Sequence, residues 1–314
     1  MFSARLGRRA AGVSLVGLFG AGAAYIFIPD KSRSAPTVDN PSLSPSHFTR
    51  ATLTSSEPSG PNTKLLVLTV HGLSAQTKAP LAPIWSVFIK DDDIQVERPY
   101  TPLEGIDEHG RMLFWIKKYP KGEVGRWLHS KKVGDTIEFR GPLSTWAWKE
   151  DEWDEVVMIS GGTGITPFYQ LLHSSIAKGQ SKTRFTLLHS SPTPSELPPP
   201  EMLGPLREYA AANPQKFGLH LFVDRPEGGV PADVRLGRIS KPEIQRCLGL
   251  NTPWWRSMFA PSSEPPARKI MFLICGPEPM INAIAGPYGR NFSQGEVGGA
   301  LGELGYTSRD VRKL

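Results

Sequence analysis

Cysteine is nearly absent from this sequence: Cys247 and Cys275 are the only two in 314 residues. Two thiols cannot build a disulfide framework or fill a four-ligand zinc site. Both read as small buried hydrophobes rather than reactive groups, and no metal site is expected. Dense Lys/Arg stripes are also missing, which sets nucleic acid aside as a partner. No internal repeat is visible. Hydrophobic residues make up 39% and charged residues 21% of the chain, enough apolar material for real cores.

The net charge is +6, and its distribution is uneven. Arg5, Arg8, Arg9, Lys31 and Arg33 face only Asp30 in the first 34 residues, a net +4 that leaves +2 for the rest. Ala10 to Ile28 is an uncharged run of 19 residues, about 28 Å as a helix and so close to the thickness of a bilayer core. A cleaved signal peptide is the alternative, since Ala21, Ala23 and Ala24 are small enough for a cleavage site. An Arg-rich start without acids also fits a mitochondrial presequence. The expectation is a transmembrane anchor over residues 1–30 in the mitochondrial inner membrane. The positive-inside rule then puts the body in the intermembrane space. Residues 31–45, rich in Ser and Pro, read as a linker.

The remainder has two rhythms. Residues 46–150 carry short runs of branched and aromatic residues (Lys64–Val70, Ile84–Lys90, Met112–Lys117, Thr136–Arg140) between turns, the pattern of an antiparallel β-barrel. Residues 151–314 alternate strands (Val156–Ile159, Arg184–Leu188, Leu219–Val223, Lys269–Cys275) with helices beginning near Thr166, Leu206, Glu243 and Pro279. That alternation predicts an α/β doubly wound parallel sheet. Pro192–Pro200 and Asn251–Pro266 read as surface insertions.

Three motifs carry chemistry. Ser160-Gly-Gly162-Thr163-Gly164-Ile-Thr166-Pro167 follows a strand and opens a helix; its small residues let a pyrophosphate approach the helix N-terminus. Cys275-Gly276-Pro277-Glu-Pro-Met280 ends the last parallel strand, at the sheet edge where ligands bind. Arg98-Pro99-Tyr100-Thr101 in the barrel half offers a cation for phosphate, a ring for stacking and a hydroxyl for a ring nitrogen. Each motif has a bland reading as a turn or strand end. Their order is what is specific.

In that order the motifs resemble the ferredoxin-NADP reductase superfamily, and within it the cytochrome-b5 reductase family, over residues 45–314. Trp115-Ile-Lys117-Lys-Tyr119 and Gly134-Asp-Thr-Ile-Glu-Phe-Arg-Gly-Pro142 extend the match. The resemblance implies an antiparallel FAD-binding barrel followed by an NAD-binding domain. The enzyme it implies is a flavoprotein reductase passing electrons from NADH through FAD to a haem protein. It places Arg98, with Pro99 beside it, on the FAD pyrophosphate, Tyr100 on the isoalloxazine, and Thr101 at its reactive edge. Trp115 and Lys117 match a second flavin strand, Tyr119 lies toward the adenosine side, and Thr166 lies near the flavin. Gly162, Thr163 and Gly164, with Gly276, Pro277 and Met280, would meet the nicotinamide dinucleotide. Cys275 would sit beside the nicotinamide and shape hydride transfer without acting as a nucleophile. Asp224 matches an acid that accepts from the ribose 2′-hydroxyl, favouring NADH over NADPH, although Arg225 stands next to it.

Two places depart from the family pattern. Its Gly-x-x-Ser phosphate segment reads Gly122-Glu123-Val124-Gly125 here, with no hydroxyl and with a carboxylate that Arg126 could offset. The usual aromatic C-terminus is replaced by Leu314, a part that Tyr306 could take. Trp146, Trp148, Trp153, Trp254 and Trp255 cluster near the insertions, as packed anchors or as a docking face. The anchor, these tryptophans and Gly286-Pro-Tyr-Gly-Arg290 resemble mitochondrial flavoproteins of fungal type that assist cytochrome c maturation. That resemblance implies cytochrome c or cytochrome b5 as the haem partner, with the haem lyase beside it. The rival expectation is a non-catalytic assembly scaffold on the same fold.

Overall fold

The structure, a computed structural model, describes residues 35–73, 81–178, 181–249 and 268–314. The apolar run Ala10–Ile28, Trp254 and Trp255 lie outside these residues. No helix among the described residues is long and apolar enough to cross a membrane.

The first half is built of β1 (Thr37–Val38), β2 (Phe48–Gly60), β3 (Thr63–Thr69), β4 (Trp85–Lys90), β5 (Glu97–Tyr100), β6 (Arg111–Lys117) and β7 (Thr136–Ser144). They pair in the order β5-β4-β7-β2-β3-β6, all antiparallel, with β1 added in parallel to β2. Inward residues alternate along each strand, as a half-buried strand requires. Leu53, Leu66, Leu68, Val87, Ile89, Met112, Phe114, Ile137 and Phe139 meet in one core. The helix α1 (Glu123–Ser130) caps that core with Val124, Trp127 and Leu128. No ladder joins β5 to β6 among the described residues, and one bond, Leu103 N–H to Leu113 O at 2.8 Å, spans that side. The barrel is therefore open where β5 and β6 face the second half. Part of the expected linker is strand instead. β1 is held by Thr37, whose hydroxyl donates to Glu138, and Arg50 pairs with Asp39.

The second half is one parallel sheet. Its strands are β8 (Glu155–Gly161), β9 (Arg184–Ser191), β10 (Phe217–Val223), β11 (Val234–Leu236), β12 (Ile270–Cys275) and β13 (Val311–Lys313). The order β11-β10-β9-β8-β12-β13 runs outward from β8, then returns to its other side. Every residue of β8 is buried, as a central parallel strand demands. Its side chains serve two cores. Val156 and Met158 pack with Phe168 and Leu172 of α2 (Thr166–Lys178) and Leu206 of α3 (Pro200–Ala212). Val157 and Ile159 pack with Ile244 of α4 (Lys241–Cys247), Ile281 of α5 (Glu278–Ala285) and Leu301 of α6 (Gly299–Glu303). Helices thus cover both faces, as the alternation predicts.

The halves share a boundary core: Ile84, Leu103 and Trp115 pack in the cluster centred on α2. Gln170 of α2 is buried there. Its side-chain oxygen accepts from Trp85 N–H at 2.9 Å, and its amide donates to Trp85 O and Pro102 O at 3.2 and 2.9 Å. Trp146, Trp148 and Trp153 are loop anchors against the same cluster, with Trp148 5.5 Å from the Phe185 ring.

Candidate active site

The strand order reverses between β8 and β12. At such a switch point the two outgoing loops part and leave a crevice. Gly161–Gly164 leaves β8 there and Cys275–Pro277 leaves β12. They nearly touch: a Cβ on Gly164 would lie 2.3 Å from Cys275 O, so only glycine lets the two turns close up. Met280 packs beneath, against Gly161 and Gly276. It supports the turns instead of facing the crevice.

The open side of the barrel faces this crevice, and together they enclose a cleft of about 770 Å³. The barrel wall carries Arg98, Pro99, Tyr100, Thr101, Trp115, Lys117, Tyr119, Val124 and Gly125; the sheet wall carries Thr163, Gly164, Thr166, Cys275, Gly276 and Pro277. Fifteen of the eighteen residues expected from the sequence thus line one cavity. Gly162 stands just beside it, where its Cβ position is 3.7 Å from Tyr119 Oη, so Tyr119 reaches toward the opposite wall. Met280 lies beneath, and Asp224 stands apart at the end of β10. Sequence reasoning missed Ile84, Ser86, Lys121 and Thr145, which also line the cleft. None sits in a motif; strand alternation alone brings Ser86 there.

The barrel wall is suited to an anion joined to a flat ring. Arg98 makes no ion pair among the described residues; its guanidinium donates only to Glu97 O, at 2.8 Å. α1 begins at the cleft without a side-chain cap, so its first amides are free for a phosphate. Gly125 lets this first turn pack close to β6, since a Cβ there would lie 3.0 Å from Lys117 O. Arg98 and Lys121 line the same cleft as Glu123; Arg126 instead donates to Pro120 O and lines a separate hollow. The indole N–H of buried Trp115 has no acceptor among the described residues, a state that natural sites resolve with a ligand or water. These residues fit FAD.

Electrostatics separate the roles. Burial raises the Tyr100 hydroxyl, with Arg98 pulling the other way, so the ring stays neutral. Burial pushes the Cys275 thiol up to about 12; it is not a thiolate and cannot serve as a nucleophile near neutrality. Lys117 pairs with Glu196 of the short turn Pro194–Glu196, which ties the barrel to the second half. Through this ion pair the expected surface insertion Pro192–Pro200 is fastened to the barrel strand β6. Below the dinucleotide turn, His189 is fully buried between Ser160 and Ser191, at 2.8 and 3.1 Å. Burial lowers it to about 3.

The C-terminus completes the cleft. Leu314 lines it, with its N–H donating to Ile274 O and its carbonyl accepting from Tyr288 Oη, both at 2.8 Å. Tyr306 does not share this part. Its ring packs at a tilt of 56° against Phe272, 4.4 Å away in the opposite core.

Comparison with known proteins agrees with this geometry. Residues 50–148 match the family described as an oxidoreductase FAD-binding domain, and residues 158–286 match an oxidoreductase NAD-binding domain. NADH-cytochrome b5 reductase 2-A of Vanderwaltozyma polyspora is 34% identical over 227 residues, 72% of this chain and 70% of that one. The chain belongs to the NADH-cytochrome b5 reductase family. Its counterpart from Scheffersomyces stipitis, NADH-cytochrome b5 reductase 2, matches over the same shares at 34% identity. The cytochrome b5 reductase domain of Ulva prolifera nitrate reductase has the same fold (TM-score 0.65, 21% identity, 87% of this chain and 99% of that one). As a family member the chain is an FAD-dependent NADH oxidoreductase. The two walls of the cleft correspond to its two cofactor domains.

Proposed function

We propose that this reductase passes electrons from NADH through FAD to a haem protein. Cytochrome b5 is the first acceptor to test, because the relatives are named for it, and cytochrome c is the second. The carrying observation is the single cleft in which Arg98, Tyr100 and Thr101 face Thr163, Gly164 and Cys275. FAD accepts a hydride from a nicotinamide and releases electrons one at a time, which is the conversion a one-electron haem acceptor requires. The chain's own residues hold and orient. Arg98 and the α1 amides would hold the pyrophosphate, Tyr100 would pack against a ring, and the closed turns at Gly164 and Cys275 would hold the nicotinamide end on the opposite wall. A catalytically inert scaffold would have no need of an uncapped helix and an arginine without an ion pair among the described residues in one cavity.

The site of action belongs to the same proposal. The Arg5–Arg9 cluster and the run Ala10–Ile28 support an inner-membrane anchor with the body in the intermembrane space. There the reductase would support cytochrome c maturation beside the haem lyase. Anaerobic protein reduced with NADH should be reoxidised rapidly by ferric cytochrome b5 or ferric cytochrome c; failure of both would sink the acceptor class. Protease added to mitoplasts should digest the body, and protection would exclude the intermembrane space.

A further inference from the structure

We propose that His189 is a positioning residue for NADH: through the hydroxyls of Ser160 and Ser191 it holds the ends of β8 and β9 in the arrangement that presents the turn Gly161–Gly164 to the dinucleotide. This rests on the dinucleotide reading of the cleft.

The register puts the ring beside the root of that turn. Cys275 of β12 lies level with Ser160 of β8, and Ser160 with His189 of β9. Met158 and Leu187, two residues before Ser160 and His189, pack in the cluster centred on α2, and so does Cys275. By strand alternation the three residues therefore form one row on the α2 face of the sheet. The row lies where the strands end, since β8 stops at Gly161 and β12 at Cys275. β9 runs on to Ser191, which shares the face of His189. Cys275 lines the cleft. Ser160 and His189 continue the row away from it, both fully buried.

The bonds call for this ring. Ser160 Oγ lies 2.8 Å from His189 Nδ1, and Ser191 Oγ lies 3.1 Å from Nε2. Burial keeps the imidazole neutral, so one nitrogen donates and the other accepts. An apolar side chain would fill the same space, as Leu187 does one layer down, but it would leave two buried hydroxyls without this partner. The turn above tolerates little displacement. A Cβ on Gly161 would lie 2.8 Å from Met280 Sδ, and one on Gly164 2.3 Å from Cys275 O. A shift of Ser160 is therefore passed directly to the backbone that meets the dinucleotide. Beyond Ser191, the Thr193 hydroxyl donates to Glu196 Oε1 at 3.5 Å, and Glu196 pairs with Lys117 of the barrel wall. His189 thus joins the dinucleotide turn to the segment that is fastened to the barrel.

Stopped-flow reduction of the full-length, flavin-loaded protein by NADH tests this, with reoxidation by ferricyanide as the control half-reaction. In His189→Leu the NADH concentration that gives half the maximal reduction rate should rise about fivefold, the equivalent of one net hydrogen bond. Flavin content and the ferricyanide half-reaction should stay as in the wild type. His189→Gln keeps a donor and an acceptor and should recover most of the loss. Ser160→Ala should show the same rise, and adding it to His189→Leu should change little, as expected of residues that act as one unit. A folded His189→Leu protein with the wild-type NADH response, or a Gln variant no better than Leu, would overturn the assignment. Should His189→Leu fail to fold, a wild-type NADH response in Ser160→Ala overturns it instead. Wild-type flavin that NADH leaves oxidised would overturn the dinucleotide reading itself.

Discussion

Arg98 and Cys275 show how differently two residues can serve one cleft. Arg98 contributes charge. Removing its guanidinium should cost about 1.5–3 kcal/mol of FAD binding, the range for a hydrogen bond to a charged group. Arg98→Ala protein should therefore purify with depleted flavin, recoverable at high FAD; full occupancy at equal FAD would contradict the assignment. Cys275 contributes only shape. With its thiol pushed up to about 12 by burial, it should resist alkylation from pH 6 to 9 and react once the chain is unfolded. Cys275→Ser should keep its flavin and shift only the rate of flavin reduction by NADH. Rapid alkylation of Cys275 in the native state would show a thiolate that this environment does not allow.

At the level of elements, the motif residues were legible in the sequence because each sits where a chain leaves a strand. Gly161–Thr166 and Cys275–Pro277 are local signals, and β8 and β12 end at them. The supports were not legible. Gln170 reads as an ordinary helical residue, and only the fold shows its side chain bridging Trp85 and Pro102. β2, the longest strand of the barrel, is rich in Ser and Thr rather than large apolar groups, so its composition hides it. α1 was readable as a phosphate segment but not as a helix, because Gly122 and Gly125 weaken the helical signal. Arg126 and Tyr306 are the compensating residues that the sequence suggests; the helix and the β12 core turn both away from the cleft. Gln170→Ala leaves three buried backbone groups without partners, at about 1–3 kcal/mol for such a group. Urea unfolding should show a loss of at least 2 kcal/mol, and a loss below 1 would mean water replaces the amide.

Across the whole molecule, one buried and one half-buried imidazole make folding acid-sensitive. Burial lowers His189 to about 3, and burial with Arg235 and Arg184 lowers His220 to about 4, both from 6.5. The folded state holds these rings neutral, while the unfolded chain takes up protons below 6.5. Stability is therefore fully present above that value and falls as pH drops toward 4. Each such proton contributes a slope of at most about 1.4 kcal/mol per pH unit. Denaturation midpoints measured from pH 7 to 4.5 should fall steadily, and His189→Asn should flatten the curve by about one proton. A pH-independent midpoint would show that neither ring is held neutral.

The account stands on one cleft that holds two cofactors, and the absorbance of the purified full-length chain under anaerobic NADH tests it most directly. A bound-flavin spectrum that bleaches on stoichiometric NADH is the predicted result. A colourless protein that takes up no FAD, or a flavin that NADH leaves oxidised, would contradict it.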